Sequence, residues 1–312
     1  MNNASRPAND TDSAAWLGLA LTSAASFAVM GACVRMAARG LPLTEVVFFR
    51  NFIAVLMLLP LMIQRGVSLK TSRIGLHMTR SLTGLAAMYF YFIALSGLHL
   101  SDALLLNYTS PVFIAVFAVL WLKEEWTVPR RIALGLSLLG LLLLFHPSGE
   151  LVSFAGLCGL ASGALAGLAL TVTKRLSDSE EPIRIVVWFA LTASLVSALP
   201  LLVSFVPPSP VQWSWLLAVG LFGSLGQLTL TAAYRRAPVT HVAPLGYTAL
   251  IFAAAIGFVA WGERPDLEGI GGMLLITAAG ITVARRRANP APQPPGGVPI
   301  IETPTLMEHN DK

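Results

Sequence analysis

The chain has 312 residues, of which 55% are hydrophobic and only 12% are charged, and its mean hydropathy is +0.71. A soluble domain carries about 25% charged residues, so this chain has too few charges to cover a water-facing surface. Soluble enzymes, nucleic-acid-binding proteins and secreted disulfide scaffolds are therefore excluded. The composition predicts an all-α polytopic membrane protein, whose partner is the lipid bilayer rather than nucleic acid.

Ten apolar segments follow one another along the chain. A bilayer core needs about 20 apolar residues per helix. The predicted spans cover residues 14–34, 45–63, 74–96, 101–122, 131–145, 154–173, 183–203, 213–234, 240–261 and 269–284. Because residues 1–13 are polar and residues 288–312 are rich in proline, we expect a disordered tail at each end.

Basic residues indicate the orientation of these ten segments. Lysine and arginine crowd the loops on one side, where cytoplasmic loops are expected to lie. The loops on that side carry Arg65, Lys70, Arg73, Lys123, Arg130, Arg131, Lys174, Arg175, Arg184, Arg235 and Arg236. Arg80, near the start of the third span, fits the same side. The bias predicts an inner-membrane protein with both termini in the cytoplasm, and it explains the net charge of +5 without nucleic acid.

The chain contains an internal repeat. When the sequence is shifted by 139 residues, the halves align without gaps over most of their length, and Gly84 meets Gly223 while Tyr108 meets Tyr247. The shift spans five predicted helices, which is an odd number, so the two halves are expected to have opposite orientations. Inverted five-helix repeats are typical of secondary transporters, which bind substrate near the bilayer midplane.

These features resemble a known family. The segment Asn107-Tyr108-Thr109-Ser110-Pro111 lies within the fourth span, and Glu124 ends that span. Two five-helix halves of this kind are similar to EamA domains of the drug/metabolite transporter superfamily, and the resemblance covers residues 15–287. It implies EamA-like repeats at 14–147 and 153–287. The second copy has Leu250 where the first has Pro111, which leaves a matching break in the ninth span unsupported.

The resemblance implies a secondary transporter that moves a small polar metabolite by alternating access. An amino acid or an amino-acid derivative, including metallophore-like compounds, is the expected substrate, and efflux is favoured. The stretch Glu45-Val46-Val47-Phe48-Phe49-Arg50 resembles the branch with S-adenosylmethionine and riboflavin carriers, so uptake of either is the alternative. A membrane-embedded enzyme or a channel is the rival from another class.

Several kinds of chemistry have no sequence signal. A glycine-rich loop with Lys-Ser/Thr is absent from the sequence, so no ATPase function or ATPase subunit is implied. The five histidines are scattered, and the two cysteines lie in separate apolar runs. We therefore expect no cofactor, no bound metal and no enzymatic activity.

Arg50 is the sharpest candidate for substrate binding. It lies roughly 7 Å along a helix from Glu45, inside the second span. A charge at that depth is costly and needs a partner or water. Its guanidinium could bind a substrate carboxylate or phosphate through two hydrogen bonds. The structural alternatives are an ion pair with Glu45 and snorkelling to the outer headgroups.

Polar residues in the fourth and ninth spans are the second candidate group. Proline removes a donor, and Pro111 frees the carbonyl of Asn107. Freed backbone groups at membrane depth are tolerated where they line a cavity. Asn107 and Tyr108, with Tyr247 and Thr248 at or beside the matching repeat position, could form two walls of one site. The alternative is ordinary hydrogen bonding between helices.

Four further residues are weaker candidates. Gln227 lies deep in the eighth span and could bind substrate. Trp188 could stack on a flat substrate, although a lipid-facing anchor explains it equally well. Asp102 and His241 start equivalent spans and could carry a coupling proton, but helix capping explains both residues.

Small residues form a stripe on the sixth span. Gly156, Gly159, Gly163 and Gly167 share one helical face by their three- and four-residue spacing. Such a stripe lets two helix backbones approach closely, so it predicts tight packing at this face.

Overall fold

In the computed structural model, all regular secondary structure of the described residues is helical. The structure describes residues 10–98, 100–124, 127–145, 153–262 and 267–285. The helices are α1 Asp10–Ala37, α2 Leu43–Gln64, α3 Ile74–Gly97, α4 Leu100–Asn107, α5 Ser110–Leu122, α6 Val128–Phe145, α7 Phe154–Ser177, α8 Pro182–Ser204, α9 Pro210–Arg236, α10 Val239–Val242, α11 Thr248–Trp261 and α12 Leu267–Arg285. Because α1 begins at Asp10, residues 10–13 are helical, contrary to the predicted tail. Residues 1–9 and the whole predicted tail at 288–312 lie outside the described residues.

The helices have the lengths and compositions of membrane spans. Within the described residues, seven helical stretches are long and apolar enough to cross a bilayer. They are Ala15–Ala37, Leu43–Gln64, Asp102–Leu122, Phe154–Ser177, Pro182–Ser204, Pro210–Arg236 and Val239–Trp261. Two shorter apolar helices, Arg131–Leu144 and Leu267–Ala279, lie where the fifth and tenth predicted spans are short. The helices therefore form a multi-pass membrane protein.

The fourth predicted span is interrupted where its proline predicts. Helix α4 ends at Asn107, and α5 begins at Ser110. Pro111 lies in the first turn of α5, where the missing N–H costs least. The break therefore leaves Tyr108 and Thr109 between two short helices.

The ninth predicted span is interrupted as well, although Leu250 stands where Pro111 stands in the first half. A 3₁₀ segment, Ala243–Tyr247, separates α10 from α11. Its first turn contains Pro244, and proline there removes a helical hydrogen-bond donor. Comparing only the position equivalent to Pro111 missed this break, because a different proline produces it.

The helix contacts come in pairs that are related by exchanging the two halves. Helix α1 packs on α9 and α11, and α7 packs in the same way on α3 and α5. Helix α2 packs on α8, and α6 packs on α12. Helices α6 and α12 approach each other closely where Gly140 faces Gly272. A Cβ added at either position would lie within 2.6 Å of the other residue's carbonyl oxygen, so a larger residue would not fit there without a shift. The cavities described below lie between these paired helices.

One end of the bundle, where α2, α5, α7 and α9 end, carries most of the described lysines and arginines, and we call it the basic end. Hydrogen bonds join several helix ends there. The Glu124 carboxylate accepts hydrogen bonds from the backbone N–H groups of Val239 and Thr240, at 2.9 and 3.2 Å. The Lys174 ammonium donates to the Tyr234 carbonyl at 2.7 Å. These bonds join the ends of α5 and α7 to α9 and α10.

Candidate binding site

Two adjoining cavities lie between the helices. The junction cavity, of about 400 Å³, borders both helix breaks and is lined by Asn107, Tyr108 and Tyr247 among others. The arginine cavity, of about 360 Å³, lies between α1, α2, α3, α7, α8 and α9. Met30 and Tyr91 line both cavities. Both volumes fall in the range of small-molecule sites.

Arg50 lines the arginine cavity, and among the residues that the structure describes it has no acidic partner. Its Nε lies 3.4 Å from the Met30 sulfur, and one amino nitrogen lies 3.4 Å from the Asn51 side-chain oxygen. Both acceptors are neutral, thioether sulfur is a weak acceptor, and the distance to the Asn51 oxygen is long for a hydrogen bond. The Glu45 carboxylate instead accepts from the backbone N–H of Val206 at 3.3 Å. Within the described residues, the proposed structural pair of Arg50 with Glu45 is therefore not formed.

A second arginine, Arg80, faces the same cavity, and the sequence reasoning missed it. One of its amino nitrogens donates to the Gln227 side-chain oxygen at 3.0 Å, and its guanidinium carbon lies 3.7 Å from the centre of the Phe189 ring. Its side chain is 4% exposed. In the sequence, Arg80 fits the basic residues that mark the cytoplasmic side, near the start of α3. Yet it lies six residues beyond Ile74, about 9 Å along the helix, and the depth argument used for Arg50 applies equally.

Two glycines leave room for these guanidinium groups. A Cβ at Gly84 would lie 3.1 Å from an Arg80 amino nitrogen. A Cβ at Gly223 would lie 3.1 Å from both the Arg50 Nε and the Met30 sulfur. Gly84 and Gly223 are the pair that the 139-residue shift aligns. The repeat therefore puts a small residue beside each arginine.

The two helix breaks meet at the junction cavity. The Tyr247 hydroxyl donates to the carbonyl oxygen of Tyr108 at 2.8 Å, and the two rings stack with their centres 6.2 Å apart. The Asn107 amide donates to the Ser162 hydroxyl at 3.1 Å. The structure thus brings the predicted residues Asn107, Tyr108 and Tyr247 together. The Tyr247 hydroxyl provides a hydrogen-bond donor for the Tyr108 carbonyl at the first break.

The glycine stripe on α7 packs against the first break. A Cβ at Gly163 would lie 2.4 Å from the Thr109 hydroxyl oxygen and 2.6 Å from the Leu106 carbonyl oxygen. A Cβ at Gly167 would lie 3.0 Å from the Ser110 carbonyl oxygen. The close helix approach predicted from the stripe is present, and it holds the broken helix in position.

Two other candidate residues make structural contacts. The Thr248 hydroxyl, at the start of α11, donates to the carbonyl of Leu245 in the preceding 3₁₀ segment at 2.6 Å. The Trp188 indole donates to the Leu69 carbonyl at 3.1 Å, and its ring lies 5.7 Å from that of His77. Neither side chain lines the junction or the arginine cavity, so the structure separates them from Arg50 and Tyr108.

The two candidates for proton coupling also lie apart from the arginines. Asp102 is buried near the start of α4, and the His241 ring stacks on Trp16 with their centres 6.3 Å apart. Neither residue lines the junction or the arginine cavity. Their proposed role in coupling stays a prediction.

A polar cluster at the basic end connects two loops. The Glu180 carboxylate accepts hydrogen bonds from the Thr71 hydroxyl, at 2.5 Å, and from Arg184, whose Nε also donates to the Ser68 carbonyl. We call Thr71, Glu180 and Arg184 the latch. Burial raises the pKa of the Glu180 carboxyl, but the bonds from Thr71 and Arg184 outweigh this effect and hold that pKa below its usual range. The latch ties the α2–α3 loop to the start of α8.

The side chains available in the cavities are suited to an organic anion rather than to a metal. Among the described residues, no group of three or more His, Cys, Asp or Glu side chains is close enough to hold a metal ion. Guanidinium groups bind carboxylate or phosphate through paired hydrogen bonds. The arginine cavity can therefore recognise an anionic group on a small molecule.

Comparison with solved structures identifies the fold. One crystal structure superposes with a TM-score of 0.76 at 18% identity, covering 89% of this chain and 99% of the other. At that identity the similarity concerns the fold alone. It shows that the arrangement of helices described above has an experimentally determined counterpart.

Sequence comparison identifies the family. The chain is 35% identical over 274 residues to the pseudopaline exporter CntI of Pseudomonas aeruginosa, covering 86% of this chain and 95% of the relative. It is 26% identical to a riboflavin transporter of Brucella anthropi (79% and 89% covered) and 26% identical to an S-adenosylmethionine uptake transporter of Rickettsia conorii (74% and 79% covered). The EamA-like transporter family matches residues 14–146 and 153–285, two segments offset by 139 residues. The chain is therefore a membrane transporter that belongs to the EamA-like transporter family.

Proposed function

We propose that the chain is a secondary transporter that exports a small anionic metabolite across the bacterial inner membrane by alternating access. The observation that carries this proposal is the arginine cavity, in which two guanidinium groups face a space of ligand size. An amino acid or amino-acid derivative with a carboxylate, including metallophore-like compounds, suits such a site.

The proposed topology is ten spans in two inverted five-helix repeats, at 14–147 and 153–287, with both termini in the cytoplasm. It is supported by the helix contacts, which pair by exchange of the halves, and by the bond between the equivalent residues Tyr108 and Tyr247. Basic residues at one end of the bundle support the orientation.

The binding residues have distinct proposed roles. Arg50 binds a carboxylate of the substrate, Arg80 adds a second cation, and Gln227 orients Arg80 through its side-chain oxygen. Asn107 and Tyr108 line the adjoining cavity, through which the substrate passes. Alternating access would require the tightly packed helices around these cavities to move relative to one another.

Export is the proposed direction because the chain is 35% identical to an exporter and the alignment covers 95% of that exporter's length. Uptake of riboflavin or S-adenosylmethionine is the second candidate, supported by the names of two other relatives. Two guanidinium groups facing one cavity disfavour the sulfonium cation of S-adenosylmethionine, because like charges repel strongly where water is scarce.

Metabolite profiling of cells and medium, with and without the gene, tests the proposal. Complementation with the wild-type gene and with Arg50→Gln provides matched controls. For export, we expect an anionic metabolite to accumulate in the cells and to fall in the medium of the deletion strain, and only the wild type should reverse this. Depletion inside the cells would favour uptake, and flux that does not saturate with concentration would favour a channel. A deletion strain with unchanged metabolites would contradict the proposal.

A further inference from the structure

We propose that the ligand of the arginine cavity carries two anionic groups, one bound by Arg50 and the other by Arg80. The chemical class is a small organic dianion such as a dicarboxylate. This inference rests on the proposed function, because it defines the substrate class of the same site.

The charge balance of the cavity is the first observation. Arg50 and Arg80 are the charged residues in its described lining, and within the described part of the chain neither has a carboxylate partner. Arginine does not lose its proton in proteins. Two positive charges at this depth repel each other and are poorly solvated. A ligand with two negative charges would compensate both.

The unused hydrogen-bond donors are the second observation. Each guanidinium has five N–H donors. Arg80 donates one hydrogen bond to Gln227, and one face of its guanidinium lies over the Phe189 ring. Its Nε has no hydrogen-bond partner among the described residues. Among the described residues, Arg50 contacts only two neutral acceptors, the Met30 sulfur and the Asn51 side-chain oxygen, each at 3.4 Å. Each arginine therefore has donors left for one carboxylate, which accepts two parallel hydrogen bonds.

The neutral part of the lining makes the site selective. The remaining described lining residues are apolar apart from Gln227 and Tyr91, and the Gln227 oxygen is already bonded to Arg80. The ammonium group of a zwitterion would find no carboxylate in this lining and would face two cations. A dianion should therefore bind more tightly than a monoanion or a zwitterion of the same length.

Thermal-shift titration of the purified full-length chain in nanodiscs tests this. The probes are dicarboxylates from malonate to adipate, monocarboxylates of equal chain length, 5-aminovalerate as the zwitterion, and sulfate. We expect at least one dicarboxylate to bind about tenfold or more tightly than its matched monocarboxylate. Arg80→Gln and Arg50→Gln should each remove this preference, and Arg80→Lys should keep it at lower affinity. Arg65→Gln, which removes an exposed arginine at the end of α2, should change nothing.

Four outcomes would overturn the inference. The first two are equal binding of every dicarboxylate and its matched monocarboxylate, and tighter binding of 5-aminovalerate than of the dicarboxylates. The other two are a preference for dicarboxylates that survives in Arg80→Gln, and binding of sulfate with no preference for an organic dianion. If metabolite profiling still finds an exported monoanion that requires Arg50, the proposed function stands and only the dianion is wrong. If no metabolite moves, both fail. Because Arg80→Lys retains the charge, it provides a readout even where Arg80→Gln does not fold.

Discussion

The two halves of the chain share their packing but differ in the chemistry of their cavities. Position 50 carries arginine in the first half, and the equivalent position 189 carries phenylalanine. Arg80 likewise corresponds to Val219, which is fully buried in an apolar cluster. Phe189 lies beneath the Arg80 guanidinium, so the second half supports a cation that it does not itself carry. Duplicated packing therefore does not impose duplicated side-chain chemistry, since both arginines that line the arginine cavity come from the first half.

The largest expected effect comes from changing Arg50 in the first half. Changing the phenylalanine at the equivalent position of the second half provides the comparison. Arg50→Lys should weaken binding of the proposed anionic substrate by about 10- to 150-fold, because an ammonium group acts as a point charge and cannot form two parallel bonds. Phe189→Leu, at the equivalent position, should cost only several-fold through the lost cation–π contact. Binding titrations on purified, folded variants measure both. An Arg50→Lys affinity within about twofold of wild type would contradict Arg50 as a ligand-binding residue.

The two halves also differ in their loops, because only the second half has the carboxylate of the latch. Glu180 corresponds to Leu41 in the first half. Glu180→Gln should destabilise the protein by about 1.5–3 kcal/mol at pH 7, because the bonds from Thr71 and Arg184 lose a charged acceptor. The folded-state pKa of Glu180 is lowered, so its stabilisation is present above the ordinary value and is lost as the pH falls.

Thermal unfolding as a function of pH measures this effect. The difference between wild type and Glu180→Gln should shrink below about pH 4. Glu181→Gln is the matched control, because Glu181 pairs with Arg235 and both side chains are about half exposed, so that its loss should cost about 0–1 kcal/mol. Equal effects of the two variants would show that the latch contributes no more than a surface ion pair.

The glycine stripe tests the contact between α7 and the first break. Gly163 corresponds to Ala24, so only the second half needs glycine at this position. Gly163→Ala should destabilise by about 1–3 kcal/mol, because its Cβ would overlap Thr109 and the Leu106 carbonyl. Gly18→Ala, on α1 with no atom within 4 Å of the added Cβ, should be neutral or slightly stabilising in thermal unfolding. A neutral Gly163→Ala would mean that the helices are not in close contact.

The smallest expected effect concerns the bond that joins the two breaks. Tyr247→Phe should destabilise by about 0.5–1.5 kcal/mol, because the Tyr108 carbonyl loses its donor. Tyr89→Phe is the control, since the Tyr89 hydroxyl makes no hydrogen bond within the described residues. Thermal unfolding of the two variants measures the difference, and identical melting temperatures would exclude a contribution from this bond.

Much of the architecture follows from the sequence. Apolar length predicts the positions of the helices, and the 139-residue shift is matched by the offset between the two family segments. The sequence also singles out Arg50, which lines the arginine cavity, because a permanent charge inside an apolar run stands out from its neighbours. Its role in binding stays a prediction. Pro111 predicted the first break through the donor that it lacks.

Other features escaped prediction for identifiable reasons. Arg80 lies near the start of α3, where basic residues usually mark the cytoplasmic side, so its depth was overlooked. The second break arises at Pro244 and not at the position equivalent to Pro111. Trp188 looked like a stacking residue, but it donates to the Leu69 carbonyl and lies outside both cavities.

By itself, the sequence determined the membrane environment, the helix segments and the repeat, because hydrophobicity, proline and spacing act along the chain. Only the tertiary structure decided which residues share a cavity. Arg50 and Arg80 are 30 positions apart, and Gln227 is 147 positions beyond Arg80. Their meeting depends on how α2, α3 and α9 cross, and on Gly84 and Gly223, which leave space for two guanidinium groups. Helix crossing depends on the shapes of many side chains at once, and no local pattern encodes it.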